Sequence, residues 1–320
     1  MGRSEVLKVR PEILVMQPFM KPIEAKFDAA YVVHRLYGVK DREALLAEVA
    51  ERIKGVVTGG ALGLPRDLMD RLPRLEVVAI NGIGTDAVDL KKARERGIRV
   101  ATTPNVLTDD VADMAMGLIL ATSRQLCTGD RFVRSGQWLK GNLPLARKVT
   151  GKRLGVLGLG KVGRAIAKRA EAFNMSIAYT DIRSFDDVSY TFVPTLKDLA
   201  NESDILVVAA AGGPQSQGIV NSDVLNALGS DGILINVGRG SIVDEPALIA
   251  ALTGGRLGGA GLDVFNDEPR VPEALWKLDN VVLQPHQASA TIETRIAMGE
   301  LILANLSAHF AGKPLPTAVV

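Results

Sequence analysis

An apolar run, Leu154-Gly155-Val156-Leu157, breaks into Gly158-Leu159-Gly160-Lys161-Val162-Gly163 and passes at once into a helical pattern carried by Val162, Ile166, Ala170 and Phe173. Strand, glycine turn and helix in that order constrain the chain strongly. Gly158 permits the tight turn, Gly160 lets the backbone approach an anionic group, and Gly163 lets the helix lie close on the sheet. The start of that helix offers unpaired N–H groups to phosphate. With 32 glycines in the chain the pattern alone is weak, but its setting is specific, because a second strand over 176–180 ends in Asp181. A carboxylate there can accept both ribose hydroxyls of an adenosine. The stretch therefore reads as a dinucleotide site.

Composition narrows the setting. At 320 residues the chain exceeds the usual single domain and suits two, and 47% hydrophobic residues supply a core for each. The formal net charge is +2 with no block of like charge, which leaves no nucleic-acid or membrane footprint. The single cysteine, Cys127, excludes a disulfide scaffold or zinc cluster, so no metal is expected. Its place in an apolar helical run reads as a small buried hydrophobe. Met1 to Glu5 lacks the apolar core of a signal peptide, and the longest apolar stretch, 114–121, is far short of a membrane span. A soluble, cytoplasmic protein is expected.

Between residues 11 and 100 short apolar strands (13–16, 31–33, 56–57, 77–80, 98–100) alternate with helical patterns (42–53, 67–72, 86–96). Such alternation predicts a parallel sheet with helices on both faces. The loop Asn81-Gly82-Ile83-Gly84-Thr85-Asp86 leaves the carboxyl end of a strand, where ligands bind in open α/β sheets. Its backbone suits a small anion and an ordinary turn equally well. Thr103-Pro104-Asn105 punctuates the chain, and Thr108 is placed to cap a long helix running to about residue 124, with Asp109 and Asp110 favourable in its first turn. A basic connection containing Trp138 follows. Further strands are predicted over 153–157, 176–180, 205–209, 233–237, 259–262 and 281–284, with helices starting at Lys161, Leu196, Ser222 and Glu245. A last helical pattern, 290–310, can return to the first domain. The fold class is α/β, with two doubly wound, Rossmann-like parallel-sheet domains. Residues 1–103 and 290–320 form a discontinuous substrate-binding domain, and 104–289 form the dinucleotide domain.

Three histidines make the search for a proton donor short. His34 in an apolar strand and His309 in the terminal helix read as structural. His286 follows Val281-Val282-Leu283-Gln284-Pro285, at a carboxyl strand end. Ile235-Asn236-Val237 runs into Gly238-Arg239-Gly240, whose glycines let an arginine project, and its planar fork suits a carboxylate. Leu262-Asp263-Val264-Phe265 runs into Asn266-Asp267-Glu268-Pro269. His286 alone reads equally well as a loop residue, Arg239 alone as a common solvated turn arginine, and Glu268 alone as a solvated turn residue. A glutamate beside a histidine, however, favours imidazolium, the species that donates a proton. Their position at three consecutive strand ends points to a common site.

Together these residues resemble the D-isomer-specific 2-hydroxyacid dehydrogenases, most closely the glyoxylate/hydroxypyruvate reductases and plant hydroxyphenylpyruvate reductases. The likeness covers nearly the whole chain and runs through 103–113, 158–163, 235–240, 261–265 and Pro285-His286. It implies hydride transfer from NAD(P)H to a small 2-oxo acid, with hydroxypyruvate and glyoxylate first. Arylpyruvates and phosphohydroxypyruvate are alternatives, and an NAD-sensing, corepressor-like protein is the non-enzyme alternative. By this resemblance Arg239 binds the substrate carboxylate and carbonyl, His286 protonates the carbonyl oxygen, and Glu268 holds and charges His286. The backbone at Gly82, Ile83 and Gly84 would grip the carboxylate, which decides between the two readings of that loop.

The resemblance also implies cofactor contacts at Thr108, at Gly158, Gly160, Lys161, Val162 and Gly163, and at Asp181, Ile182 and Arg183. Ala210, Val237, Asp263, His286 and Ala288 complete the set, with Asp263 at the nicotinamide amide. Members are usually dimers through the cofactor domains, with the helix from Thr108 and the Trp138 segment in the contact. Two departures stand out. Ala210-Ala211-Gly212-Gly213-Pro214 stands where the family usually has a proline and a threonine near the adenosine. Asp181-Ile182-Arg183-Ser184 replaces a Ser-Arg-Ser or Gly-Arg-Ser strand end. A carboxylate at Asp181 repels a 2′-phosphate, and Ile182 occupies the usual arginine position. NAD(H) is therefore expected, with Arg183 and Ser184 keeping NADP(H) as the alternative.

Overall fold

The structure is a computed structural model and describes residues 10–320. The reading of Met1 to Glu5 lies outside them. In chain order the elements begin with β1 (Glu12–Val15), α1 (Lys21–Ala30), β2 (Val32–Arg35), α2 (Arg42–Val49), β3 (Ile53–Gly59), α3 (Arg66–Asp70), β4 (Val77–Asn81), α4 (Leu90–Glu95) and β5 (Arg99–Ala101). There follow α5 (Thr108–Ser123), α6 (Leu126–Arg134), β6 (Arg153–Leu157), α7 (Lys161–Glu171), β7 (Ser176–Thr180), β8 (Thr191–Phe192), α8 (Leu196–Asn201), β9 (Ile205–Val208) and α9 (Ser222–Leu228). The chain closes with β10 (Ile233–Asn236), α10 (Glu245–Thr253), β11 (Gly259–Leu262), α11 (Glu273–Trp276), β12 (Val281–Leu283) and α12 (Ile292–Phe310).

Two compact units result. One runs through Leu107 and takes back Thr291–Val320; the other is Thr108–Ala290. The first holds a five-stranded sheet in the order β2-β1-β3-β4-β5, with every neighbouring pair parallel. The reversal between β1 and β3 is the flavodoxin-like doubly wound order. On one face Phe27 of α1 and Ile302 and Leu306 of α12 pack fully buried against Ile13, Val57 and Val77. The opposite face carries Val56, Val78 and Ile80 under Leu46, Met69 and Leu72. The second unit holds a seven-stranded parallel sheet, β12-β11-β10-β9-β6-β7-β8, which reverses between β6 and β9.

Local chemistry sets several boundaries. Asp41, Asp89, Thr195, Asn221, Asp244 and Thr291 cap α2, α4, α8, α9, α10 and α12 through side-chain oxygens that accept first-turn N–H groups. The cap at Asp89 is why the helical pattern predicted from 86 begins only at Leu90. The pattern over 42–53 stops early, because a turn over Ala50–Arg52 intervenes and the fully buried, β-branched Ile53 opens β3 instead. Thr108 is the first residue inside α5 rather than its cap. The helices α1 and α6 and the short edge strand β8 have no counterpart in the sequence reading. Cys127 corrects an expectation: it lies exposed on α6, a helix with no buried residue, because the apolar run that carries it faces outward. Among the described residues no helix is long and apolar enough to cross a membrane.

Candidate active site

The glycine loop sits at the reversal of the seven-stranded sheet. Gly158 leaves β6 in the left-handed region, at φ 91°, and a Cβ there would lie 2.6 Å from the Ala210 Cα beyond β9. A Cβ at Gly163 would stand 2.1 Å from the Gly158 carbonyl oxygen, so α7 closes on the turn only with glycine at that place. Over Gly160, by contrast, a Cβ would meet nothing within 4 Å. That open space lies at the start of α7, where Lys161 is exposed and Val162 half-buried, and it fits a pyrophosphate against the helix N-terminus. Asp181 ties the turn to the end of β7: one carboxylate oxygen accepts from the Leu159 N–H at 2.7 Å and the other from the Ile182 N–H at 2.7 Å. Each oxygen keeps a further lone pair for a ribose hydroxyl. Ile182 is 93% exposed, and Arg183 lies over the Phe185 ring at 5.1 Å, on which Arg164 also lies at 4.9 Å. The departure at Ala210 has a steric consequence. A Cβ at Gly158 would lie 3.0 Å from the Ala210 Cβ and one at Gly238 would lie 2.8 Å from the Ala210 carbonyl oxygen, so both glycine turns close on this residue, mainly on its backbone.

At the neighbouring strand ends, buried polar groups fix the loops. Asn236, 1% exposed at the end of β10, donates from Nδ2 to the Arg239 carbonyl at 3.0 Å and accepts from the Gly238 N–H at 3.1 Å. Val237 is buried beside it, with its N–H on the Val208 carbonyl. The Arg239 guanidinium donates to the Gly238 carbonyl at 2.9 Å. A Cβ at Gly240 would lie 2.0 Å from the Phe265 carbonyl carbon, so glycine there lets the arginine turn rest against the segment leaving β11. That segment carries Glu268. One of its carboxylate oxygens accepts from the Phe265 N–H at 3.0 Å, and the other pairs with Nδ1 of His286 at 2.7 Å. Burial by itself raises the Glu268 carboxyl. The His286 hydrogen bond and charge, the Phe265 N–H and the Arg239 charge outweigh it and hold the group below its usual range.

His286 has a left-handed backbone, φ 54°, unusual for a residue with a side chain. Asp263 holds it there. The His286 N–H donates to the Asp263 carbonyl at 2.8 Å, and the two carboxylate oxygens accept from Gln287 N–H at 2.7 Å and Ala288 N–H at 3.0 Å. Asp263 is 0% exposed, and burial pushes its carboxyl up against the pull of those two N–H groups and of His286. Asp263 thus also holds the His286 loop, a role the sequence reading did not assign to it. Ala288 is buried in the same loop.

In the first unit, in the loop after β4, the Gly82 N–H is engaged by the Ile80 carbonyl at 3.0 Å and by Thr103 Oγ1 at 2.9 Å. Ile83 is itself exposed. His34 and His309 have structural partners in Glu12 and Glu76, at 2.8 and 3.2 Å. Sequence reasoning missed Asn236 and Thr103 as organisers of the loops. A polar residue ending an apolar strand, as in Ile233-Leu234-Ile235-Asn236, was the available signal.

A glutamate–histidine pair beside an arginine, with a glycine turn opening a helix at the sheet's reversal, suits a nicotinamide-dependent reductase of 2-oxo acids. Comparison with known proteins agrees. The sequence profile of the D-isomer specific 2-hydroxyacid dehydrogenase, NAD binding domain, matches residues 116–288. A hydroxyphenylpyruvate reductase of Plectranthus scutellarioides is 48% identical over 308 residues, covering 96% of this chain and 98% of the relative. A 2-ketogluconate reductase of Gluconobacter oxydans is 45% identical over 97% of this chain and 99% of its own. The crystal structure of an NADPH-dependent glyoxylate/hydroxypyruvate reductase of Sinorhizobium meliloti, with NADP and malonate, superposes with a TM-score of 0.90 at 43% identity over 97% of each chain. The chain belongs to the D-isomer-specific 2-hydroxyacid dehydrogenase family and is an NAD(P)-dependent enzyme acting on small 2-oxo acids.

Because the folded state holds the Glu268 carboxyl below its unfolded value, the stabilisation it provides is present above the usual carboxylate range and is lost as pH falls through the folded value. Glu268→Gln is expected to melt below the parent near pH ~7, with the gap closing towards pH ~3. Thermal melts of both proteins across that range check this, and a gap that persists at low pH contradicts it.

Proposed function

We propose that this enzyme reduces hydroxypyruvate and glyoxylate to D-glycerate and glycolate with NADH, and that it works as a homodimer. The observation that carries the catalytic reading is the 2.7 Å pair between Glu268 and His286 Nδ1. With Nδ1 directed to the carboxylate, the opposite ring nitrogen, Nε2, is the one left to hold a proton for the substrate carbonyl oxygen. When bound, the reduced nicotinamide supplies the hydride to the keto carbon, and the proton from His286 completes the alcohol. Arg239 is proposed to anchor the carboxylate and polarise the carbonyl, with the N–H groups of Ile83 and Gly84 as further donors to the carboxylate. The glycine turn, with Lys161 and Val162, holds the pyrophosphate, and Thr108, Ala210, Val237 and Ala288 belong to the same cofactor surface. In this reading the first unit is the substrate-binding domain and the second the NAD(P) domain.

The preference for NADH rests on Asp181. Its carboxylate, at the end of β7 beside the glycine turn, would repel a 2′-phosphate there, and exposed Ile182 carries no charge to offset the repulsion. Arg183 and Ser184 are the residues that would serve NADP(H). The homodimer rests on the apolar side chains of α6 and of the segment between α6 and β6. Leu126, Val133, Trp138, Leu139 and Leu145 are all exposed, Leu139 at 93% and Leu145 at 97%. Such a concentration asks for cover, and a second copy of the chain can provide it.

His286→Ala is expected to lower kcat for hydroxypyruvate by roughly 10²- to 10⁴-fold while NADH still binds, measured by steady-state kinetics and by quenching of protein fluorescence. A kcat near that of the parent would remove His286 from the chemistry. Comparison of kcat/KM with the two cofactors is expected to favour NADH, and a higher value with NADPH reverses the reading of Asp181. Light scattering of the eluting protein should give twice the mass of one chain, and a monomer sinks the dimer.

A further inference from the structure

One buried acceptor lacks a donor at the carboxyl end of the five-stranded sheet. Asn81 ends β4, is 8% exposed, and its Oδ1 has no hydrogen-bond partner. A buried carbonyl left unpaired is unfavourable, so it marks a place where a donor is wanted. Strand register identifies what stands beside it. Gly59 of β3 is the partner of Asn81, and Val57 is the partner of Val15 on β1. Two residues past Val15 the chain reaches Gln17, which puts Gln17, Gly59 and Asn81 in one row on one face of the sheet. A Cβ at Gly59 would lie 2.1 Å from Gln17 Oε1, so the Gln17 amide occupies the space that glycine leaves at the middle of the row. Ala79 pairs with Ala101, which puts Thr103 next in line beyond Asn81. Thr103 is fully buried and its hydroxyl is engaged by Gly82, accepting from the N–H at 2.9 Å and donating to the carbonyl at 3.3 Å. Thr103 therefore has its partner inside the protein. The Asn81 carbonyl does not.

We propose that Gln17 and Asn81 form a subsite for a hydroxyl group carried by the substrate beyond its keto carbon. The proposal rests on the reading of the protein as a 2-oxo acid reductase and, among longer 2-oxo acids than glyoxylate, selects those with a hydroxyl next to the keto carbon. A hydroxyl both donates and accepts, so it can give its proton to Asn81 Oδ1 and take a hydrogen bond from Gln17 Nε2. An alkyl or aryl chain can do neither, and leaves the Asn81 carbonyl unpaired. Ile83 and Gly84, whose N–H groups are the proposed carboxylate donors, follow Asn81 by two and three residues in the same loop, so carboxylate and hydroxyl donors come from one short stretch of chain. A site built to bond a hydroxyl rejects the analogue that lacks it far more strongly than an apolar pocket rejects a missing methylene.

Hydroxypyruvate and pyruvate differ by that one hydroxyl, and the ratio of their kcat/KM values with NADH reads the subsite. In Asn81→Leu and in Gln17→Met the ratio is expected to fall about tenfold or more below that of the parent. Gln17 is half-buried and the methionine is of similar size, so the second variant carries the test if the first does not fold. A ratio unchanged within about twofold in a folded variant overturns the subsite, and assigns the donor for Asn81 to a buried water. Failure of the parent to reduce either acid while still binding NADH is a different result, which overturns the reductase reading itself.

Discussion

The geometry of the site depends on a buried carboxylate. Asp263 takes the N–H groups of Gln287 and Ala288 on its two oxygens, and its own carbonyl takes that of His286. These bonds hold a histidine in the left-handed region, which costs ~1–2 kcal/mol for a residue with a side chain. Hydrogen bonds to a charged acceptor contribute about 1.5–3 kcal/mol each, so two of them outweigh the strain. Burial opposes the arrangement by disfavouring the charged form of Asp263. The two backbone N–H groups are what make an enclosed carboxylate tolerable there. Without this clamp nothing in the local sequence Pro285-His286-Gln287 would direct the ring towards Glu268.

From that point the organisation spreads by close backbone approach. The end of β11 supplies Asp263 and, after Phe265, the chain that carries Glu268. Gly240 lets the arginine turn beyond β10 lie directly on Phe265, and Gly238 lets the same turn lie on Ala210 beyond β9. Gly158 meets Ala210 from the other side, beyond β6. The loops after four adjacent strands are thus linked through contacts that a single added carbon would break. Adjacency follows from the strand order β11-β10-β9-β6, whose reversal at β6 opens the space used by the glycine turn. Rigidity of this kind suits a site in which a proton donor and an anion anchor must keep fixed positions.

The site was legible in the chain to an uneven degree. Gly158, Gly160 and Gly163 could be read because their spacing repeats a physical requirement, and the structure gives them distinct roles: Gly158 and Gly163 are crowded, while Gly160 faces open space. His286 and Glu268 could be read because few residue types can do their chemistry. The structural role of Asp263 was not legible, since the backbone N–H groups it holds come from a loop that reaches it only in the folded chain. Asn236 and Thr103 were passed over for a related reason. Their partners, Arg239 and Gly82, become partners only through the turn and the strand pairing. Cys127 failed because an apolar helical run does not say which way it faces, and α6 faces out.

The sequence by itself determined the alternation of strands and helices, the glycine turn between β6 and α7, and which polar residues stand at the strand ends. Those are set by local periodicity and residue chemistry. Only the tertiary structure decided which strands are neighbours, and so which loops meet. It directed His286 to Glu268, enclosed Asp263, engaged the N–H of Gly82, and set Asn81 in a row with Gln17 across Gly59. The physical reason is that hydrogen bonding and burial between distant segments depend on strand order and register, which no local pattern encodes.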